Sequence, residues 1–336
     1  MKKFLIFLLM CLLVLRFGSV VAGNNLMERV ANKLDDIICN IQITSSGEQA
    51  ASNEGETSQM EMYNLLVMPR LSDSAFSIGE FAADEGDENL SAIKIDIRND
   101  SSSEIDVDYL MREKPILRLL EGSPQVLIIH THGSEAYTPA IGEEYEESDP
   151  YRTEDKAHNV IKVGDVLAQV LEAKGIRVIH DRELYDSPSY TGSYTRSGEA
   201  TEKYLKKYPS ISVVIDLHRD AIGSGDMAYK TKAEPSLGSC AQIMLLVGTG
   251  DNGLYHPHWQ ENMRLALYIQ QAMEQRYPSL ARPLAVKSER YNQHLSCGAM
   301  IVEVGTNGNT LAEAITAISY FGDAAGDVLK SLTVYE

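Results

Sequence analysis

Apolar positions along the chain fall into two regimes, and the change comes at Gly122. Downstream, short unbroken apolar runs alternate with stretches whose apolar residues recur every three or four positions, the pattern of strands interleaved with amphipathic helices. QVLIIHTH from Gln125, IRVIHD from Ile176, SVVIDLH from Ser212, CAQIMLLVGT from Cys240 and AMIVEVGT from Ala299 read as five strands. Between them lie four helical patterns: NVIKVGDVLAQVLEAKG, closed by Gly175; SGEATEKYLKKYP, closed by Pro209; WQENMRLALYIQQAMEQRYP; and TLAEAITAISYFGDAAGDVLKSL. Such alternation predicts an α/β fold with a central, mostly parallel or mixed sheet flanked by helices, in which ligands collect beyond the carboxyl ends of the strands.

Upstream of Gly122 the pattern is weaker. MKKFLIFLLMCLLVLRFGSVVA begins with two lysines and continues with an apolar run from Phe4 to Leu15, too short to span a bilayer, which takes about 20 residues. Val20 and Ala22 suit a signal peptidase, so residues 1–22 read as a signal peptide or a short membrane anchor, and either exports the rest of the chain. Leu26 to Ile43 has helical spacing, and Thr44 to Gln59 has the small polar composition of a flexible linker. Tyr63 to Met68, Ala92 to Ile97 and IDVD at Ile105 suggest short strands. Residues 23–121 are therefore expected to form a small accessory region, with its linker near 44–60, and residues 122–336 a catalytic domain.

A chain of 336 residues that is 44% hydrophobic can bury a substantial core. Its net charge of -18 argues against a nucleic-acid partner, because neutralising phosphates needs a basic face. Beyond the leader, Cys39, Cys240 and Cys297 have no paired spacing and read as small buried apolar residues.

Three of the predicted strands end on ionisable residues. His130, His132 and Glu135 lie at the end of the first, Asp216, His218, Arg219 and Asp220 close the third, and Glu303 sits in the last. If those strands are neighbours, the side chains converge. Catalytic zinc takes three protein ligands, commonly histidines with a carboxylate, and keeps a fourth position open; His132, Glu135 and His218 supply that set. A turn at Gly133 would bring Glu135 back toward the same ion, with Asp155 as the alternative third ligand. Glu303, at the end of an apolar strand, is the candidate carboxylate for moving a proton between water and leaving amine. Period-two alternation would put His130 on the face of His132, one binding metal and the other lining the cleft. The acidic stretch GEEYEESDP reads as a solvated lid.

IIHTHGSEAYTP, NVIKVGDVLAQVLEAKGIRVIHDRELYD, SPSYTGSYTRS, VVIDLHRDAI and YNQHLSCGAMIVEVGTNGNTLAEA, in this order from Gln125 to the C-terminus, resemble the stage II sporulation protein P (SpoIIP) family, itself related to zinc-dependent N-acetylmuramoyl-L-alanine amidases. The resemblance implies a zinc enzyme of the spore-forming septum that cleaves the muramoyl-alanine amide of peptidoglycan and stem-peptide cross-links during engulfment of the forespore. It implies work beside stage II sporulation proteins D and M, at the outer face of the cytoplasmic membrane. By motif, His132 and His218 become zinc ligands and Glu303 the catalytic carboxylate. The related amidases place a glutamate early in the helix after the first strand, which points to Glu154 or Asp155; the short fixed spacing to His132 favours Glu135. Arg196, Arg219, Asn292 and Gln293 are then candidates for holding the stem peptide or a developing oxyanion. The rivals are a zinc carboxypeptidase acting on stem peptides and a catalytically silent peptidoglycan-binding protein.

Overall fold

A computed structural model of the chain describes residues 95–224, 227–234 and 237–334. The expected leader, the helix at Leu26 to Ile43, the linker, the strand at Tyr63 to Met68 and Cys39 lie outside the described residues. Among the described residues no helix is long and apolar enough to cross a membrane.

Seven strands make one sheet: β1 (Ile97–Asn99), β3 (Val126–Ile129), β4 (Val178–His180), β5 (Val213–Asp220), β8 (Ile243–Gly248), β9 (Leu284–Lys287) and β10 (Gly298–Thr306). Their order is β1-β9-β8-β10-β5-β3-β4. Every pairing is parallel except that of β10 with β8, so two parallel blocks meet back to back in a mixed sheet. Short pairs outside it join β2 (Leu119–Leu120) to β11 (Thr333–Val334) and β6 (Gly223–Ser224) to β7 (Met227–Ala228). All five strands expected from the apolar runs are present, and β9 is an addition. The sheet also draws in chain from before Gly122, because β1 pairs with β9.

One expectation is corrected at Ile105. IDVD is no strand: the Asp106 carboxylate accepts from Tyr109 N–H at 2.9 Å and caps the short helix α1 (Val107–Met111). Alternating aspartates mimic period two where the first of the pair is a helix cap.

Helix α2 (Val160–Ala173) buries Val160, Val163, Leu167 and Leu171, a stripe at helical spacing, and is capped by the Asn159 side chain. With α4 (Trp259–Arg276) and α5 (Leu311–Ser331) it covers one face of the sheet, over Val126, Ile128, Val213, Ile215, Leu217 and Val302. Thr310 and Glu313 close a reciprocal cap at the start of α5. On the other face lies α3 (Ser193–Lys207), whose Ala200, Tyr204 and Leu205 pack on Leu127, Ile129, Val214 and Ala299. Cys240 is buried, and both it and Cys297 are free thiols.

The register on this second face positions the chemistry. Val214 pairs with Ala299, Asp216 with Ile301 and His218 with Glu303. Since alternate residues share a face, each strand runs from apolar residues at its start to ionisable ones at its carboxyl end. β10 shifts register after Glu303, with Gly305 at φ +63, so the strand bends away just beyond that carboxylate.

Candidate metal centre

Strand β3 stops at Ile129 and the chain turns, which separates the two histidines that period two puts together. His130 keeps the parity of Ile128 and enters the α2 side, fully buried. One of its ring nitrogens lies 3.0 Å from the Leu217 carbonyl and the other 2.8 Å from His180. His180 in turn faces Asp165 at 3.2 Å. Gly164 makes room for this pair: a Cβ there would stand 2.6 Å from His180 and 2.7 Å from His130. Burial pushes the His130 imidazole down to about 3, so it is neutral. His130 is therefore a structural residue facing away from His132.

His132 emerges on the α3 side. The turn through Gly133, where Leu184 stands 2.9 Å from any added Cβ, is closed by Glu135 N–H donating to the His132 carbonyl at 3.1 Å. Glu135 thereby comes back under His132. Its Oε1 lies 3.5 Å from His132 Nδ1 and its Oε2 3.2 Å from His218 Nδ1. One donor atom from each of His132, Glu135 and His218 lies within 4.8 Å of the others, and all three residues are buried. Among the described residues no other group of three such side chains meets that condition.

The remaining ring nitrogens are held from outside. His132 Nε2 is 3.1 Å from the Ser193 hydroxyl at the start of α3. His218 Nε2 lies 3.0 Å from Asp216 Oδ1, close enough for an ion pair though not aligned for a hydrogen bond. Asp216 also accepts from Thr131, through N–H at 2.8 Å and hydroxyl at 2.6 Å, which ties the loop carrying His132 to the strand carrying His218. Two imidazoles and one carboxylate with both rings oriented from behind form a donor set that fits zinc.

Charge holds the group together. Burial opposes ionisation of Glu135, but His218, His132 and Arg219 outweigh it and keep the carboxyl well below its usual range. Burial likewise opposes a proton on His218, and Asp216 and Glu135 on either side raise its affinity well above the ordinary value. Glu303 is different: burial dominates, and its carboxyl is pushed up to about 8. One of its oxygens, Oε2, is buried without a hydrogen-bond partner.

Other candidates are committed elsewhere. Asp155 faces His158 at 2.8 Å, and Glu154 accepts from the Ser187 hydroxyl at 2.6 Å, so neither joins the metal donors. Arg219 is buried; its backbone N–H reaches Glu135 Oε2 at 3.2 Å while its guanidinium donates to the carbonyls of Ala136 and Tyr151, each at 2.9 Å. Arg196 spends its donors on the carbonyls of Tyr185, Ser189 and Thr191. Asn292 donates to the Tyr194 carbonyl at 2.7 Å, and the Gln293 amide bridges Gly248 N–H and the Leu246 carbonyl.

Two neighbours carry no signal in the sequence. Arg152 donates to Asp186 at 2.7 Å and approaches Glu135 Oε1 at 3.4 Å. The Tyr190 ring stacks on His132, centroids 4.4 Å apart and planes 23° from parallel. Both stand in loops without periodicity, placed only by tertiary contact.

The family model for stage II sporulation protein P (SpoIIP) matches residues 40–325, most of the chain. The chain belongs to the SpoIIP family. Stage II sporulation protein P of Bacillus subtilis (strain 168) is 28% identical over 218 residues, covering 62% of this chain and 50% of that relative. The matched stretch thus spans about half the length of that family member. Among solved structures, the CwlD amidase of Clostridioides difficile in complex with the GerS lipoprotein is similar over 62% of this chain and 98% of its own, with 12% identity and a TM-score of 0.39. The apo form of the N-acetylmuramyl-L-alanine amidase Ami1 of Mycobacterium abscessus is similar over 63% and 99%, with 13% identity and a TM-score of 0.39.

Proposed function

We propose that this SpoIIP-family chain is a zinc-dependent peptidoglycan hydrolase that cleaves the N-acetylmuramoyl-L-alanine amide, with stem-peptide cross-links as a second substrate. The observation that carries the reading is the convergence of buried His132, Glu135 and His218 on one point, at a strand end where Glu303 is His218's register partner. Family membership supports a role in sporulation. We place its work at the outer face of the cytoplasmic membrane during septal thinning and engulfment, reached through the leader or a partner, with stage II sporulation proteins D and M as the expected companions.

His132, Glu135 and His218 would hold the ion. Zinc there would supply Lewis acidity toward a carbonyl oxygen and an acidified water. Asp216 and Ser193 fix the imidazole rings, and Arg219 and Arg152 hold the Glu135 carboxylate in place. Glu303, in its carboxylate form, accepts the proton of the attacking water as the carbonyl carbon is attacked. It then hands that proton to the departing L-alanine nitrogen, so the products are a muramoyl carboxylate and a free amino-terminal stem peptide. Arg196, Arg219, Asn292 and Gln293, expected to grip substrate, are assigned to positioning the surrounding loops.

Digestion of purified peptidoglycan with the zinc-loaded protein is expected to release stem peptides with free amino termini, and chelator to stop it. Release of single terminal amino acids would instead mean a carboxypeptidase, and binding without products a silent wall-binding protein. The third ligand is tested separately. Glu135→Gln is expected to lose zinc, while Glu154→Gln and Asp155→Asn keep it; metal retained in Glu135→Gln and lost in Asp155→Asn would transfer the role. Asp216→Asn should weaken zinc binding about 10- to 100-fold without removing a ligand, read by competition with a metal-sensing dye. An unchanged affinity would reject Asp216 as the group that orients His218.

A further inference from the structure

The segment entering α3 makes three contacts to the His132 ring. Ser193 bonds its Nε2, Tyr194 meets it edge-on at 5.5 Å, and Tyr190 stacks on its face. Ser193 and Tyr194 are spent inside the protein: Ser193 is 3% exposed, and burial raises the Tyr194 phenol far above its ordinary value. Tyr190 is not. It remains 57% exposed although one part of its ring rests on His132 and the Arg152 guanidinium carbon lies 5.1 Å from its centroid. Those two supports belong together, because His132 and Arg152 both approach Glu135 Oε1, at 3.5 and 3.4 Å. A flat aromatic ring thus touches two of the residues around the metal site, while more than half of the residue stays exposed.

The ring is also held still. Arg196 ties the carbonyls of Tyr185, Ser189 and Thr191, on both sides of Tyr190, to the body of α3. An exposed tyrosine in a mobile loop would pay ordering entropy on binding; one pinned on both flanks offers rigid amphipathic area at low cost. Tyr291 extends the aromatic row, tilted against Tyr194 at 5.8 Å.

From this geometry we infer that the exposed surface of Tyr190 is a saccharide subsite, which packs the C–H face of the sugar attached to the scissile amide as that amide reaches the metal centre. The inference rests on the function proposed above, which supplies the scissile amide and the sugar joined to it. Pyranose rings present a flat patch of C–H groups between equatorial hydroxyls, and such a patch fits an exposed aromatic face while the hydroxyls stay in water. The amide bond to be cut is joined to the sugar ring through the short lactyl group alone, so a saccharide beside a metal ligand is at the right separation.

The test separates binding from catalysis. Saturation-transfer NMR of the peptide-free disaccharide N-acetylglucosaminyl-N-acetylmuramic acid with the full zinc-loaded chain is expected to show transfer to the sugar C–H protons. Transfer should be kept in Tyr190→Phe and fall at least about tenfold in Tyr190→Ala. Tyr190→Leu keeps an apolar side chain over His132 without a ring, and it should also lose transfer at unchanged zinc content and melting temperature. Absence of transfer in the wild-type protein, or full transfer in Tyr190→Leu, overturns the subsite. Transfer in the wild type without any cleavage of peptidoglycan leaves the subsite standing and sinks the hydrolase.

Discussion

Glu303→Gln is expected to lower release of stem peptides by about 10²- to 10⁴-fold while zinc content stays that of the wild type, because an amide of the same shape cannot take the proton of water. Glu303 is no ligand in this arrangement; the three donors that converge do so without it. Elemental analysis beside a turnover assay therefore distinguishes the loss of a base from the loss of a metal, and an active Glu303→Gln enzyme would end the assignment. Burial supplies a second readout. The Glu303 carboxyl, ordinarily near 4.5, is pushed up to about 8 in the folded chain. Below pH 4.5 it is protonated whether folded or not. Between 4.5 and 8 the folded chain holds a proton that the unfolded chain lacks, so its contribution to stability is lost as pH rises through that window. Glutamine carries no such dependence. In metal-free protein the melting temperature of Glu303→Gln relative to the wild type should climb as pH rises from 4.5 to 8. A difference that stays flat would show that burial does not hold the Glu303 carboxyl protonated.

Local interactions are the ones legible in the sequence. VLII, VVID and IVEV announce buried strands because each is apolar on both faces, and the helices around them carry full turns of periodic apolar residues. LAVK of β9 is four residues long and gives no signal, since nothing in so short a run separates a strand from a loop. His132, Glu135, His218 and Glu303 stand out because an apolar strand that ends on ionisable residues conflicts with its own burial, and such conflicts mark sites. The choice among Glu135, Glu154 and Asp155 is not decidable from spacing, because it depends on how residues 133–159 fold back. The bonds that hold Glu135 beside the two histidines, from Arg219 N–H and Arg152, cross 84 and 17 positions of sequence. Period two fails at His132, not at His130, which keeps the parity of Ile128; the strand ends at Ile129, and the chain has turned before it reaches His132.

His218→Ala is expected to be the most damaging single change, in zinc content and in stability together. The ring stands between two carboxylates, 3.2 Å from Glu135 and 3.0 Å from Asp216, and is 3% exposed. Removing it takes one of three donors from the metal and, in metal-free protein, leaves two buried negative groups with no positive one between them. Breaking a buried ion pair from one side costs about 3–5 kcal/mol, which for a domain of this size lowers the melting temperature by roughly 10 °C. His132→Ala makes the contrast. Its ring meets one carboxylate and the Ser193 hydroxyl and otherwise packs on Tyr190, Tyr194 and His218, so zinc should be lost with a smaller fall in melting temperature. Chelation of the wild-type protein gives the third arm, since zinc added back should restore it and should not restore His218→Ala. Full zinc content in His218→Ala would remove the residue from the donor set. Equal melting temperatures for the two metal-free alanine variants would show that Glu135 and Asp216 do not depend on the imidazole between them.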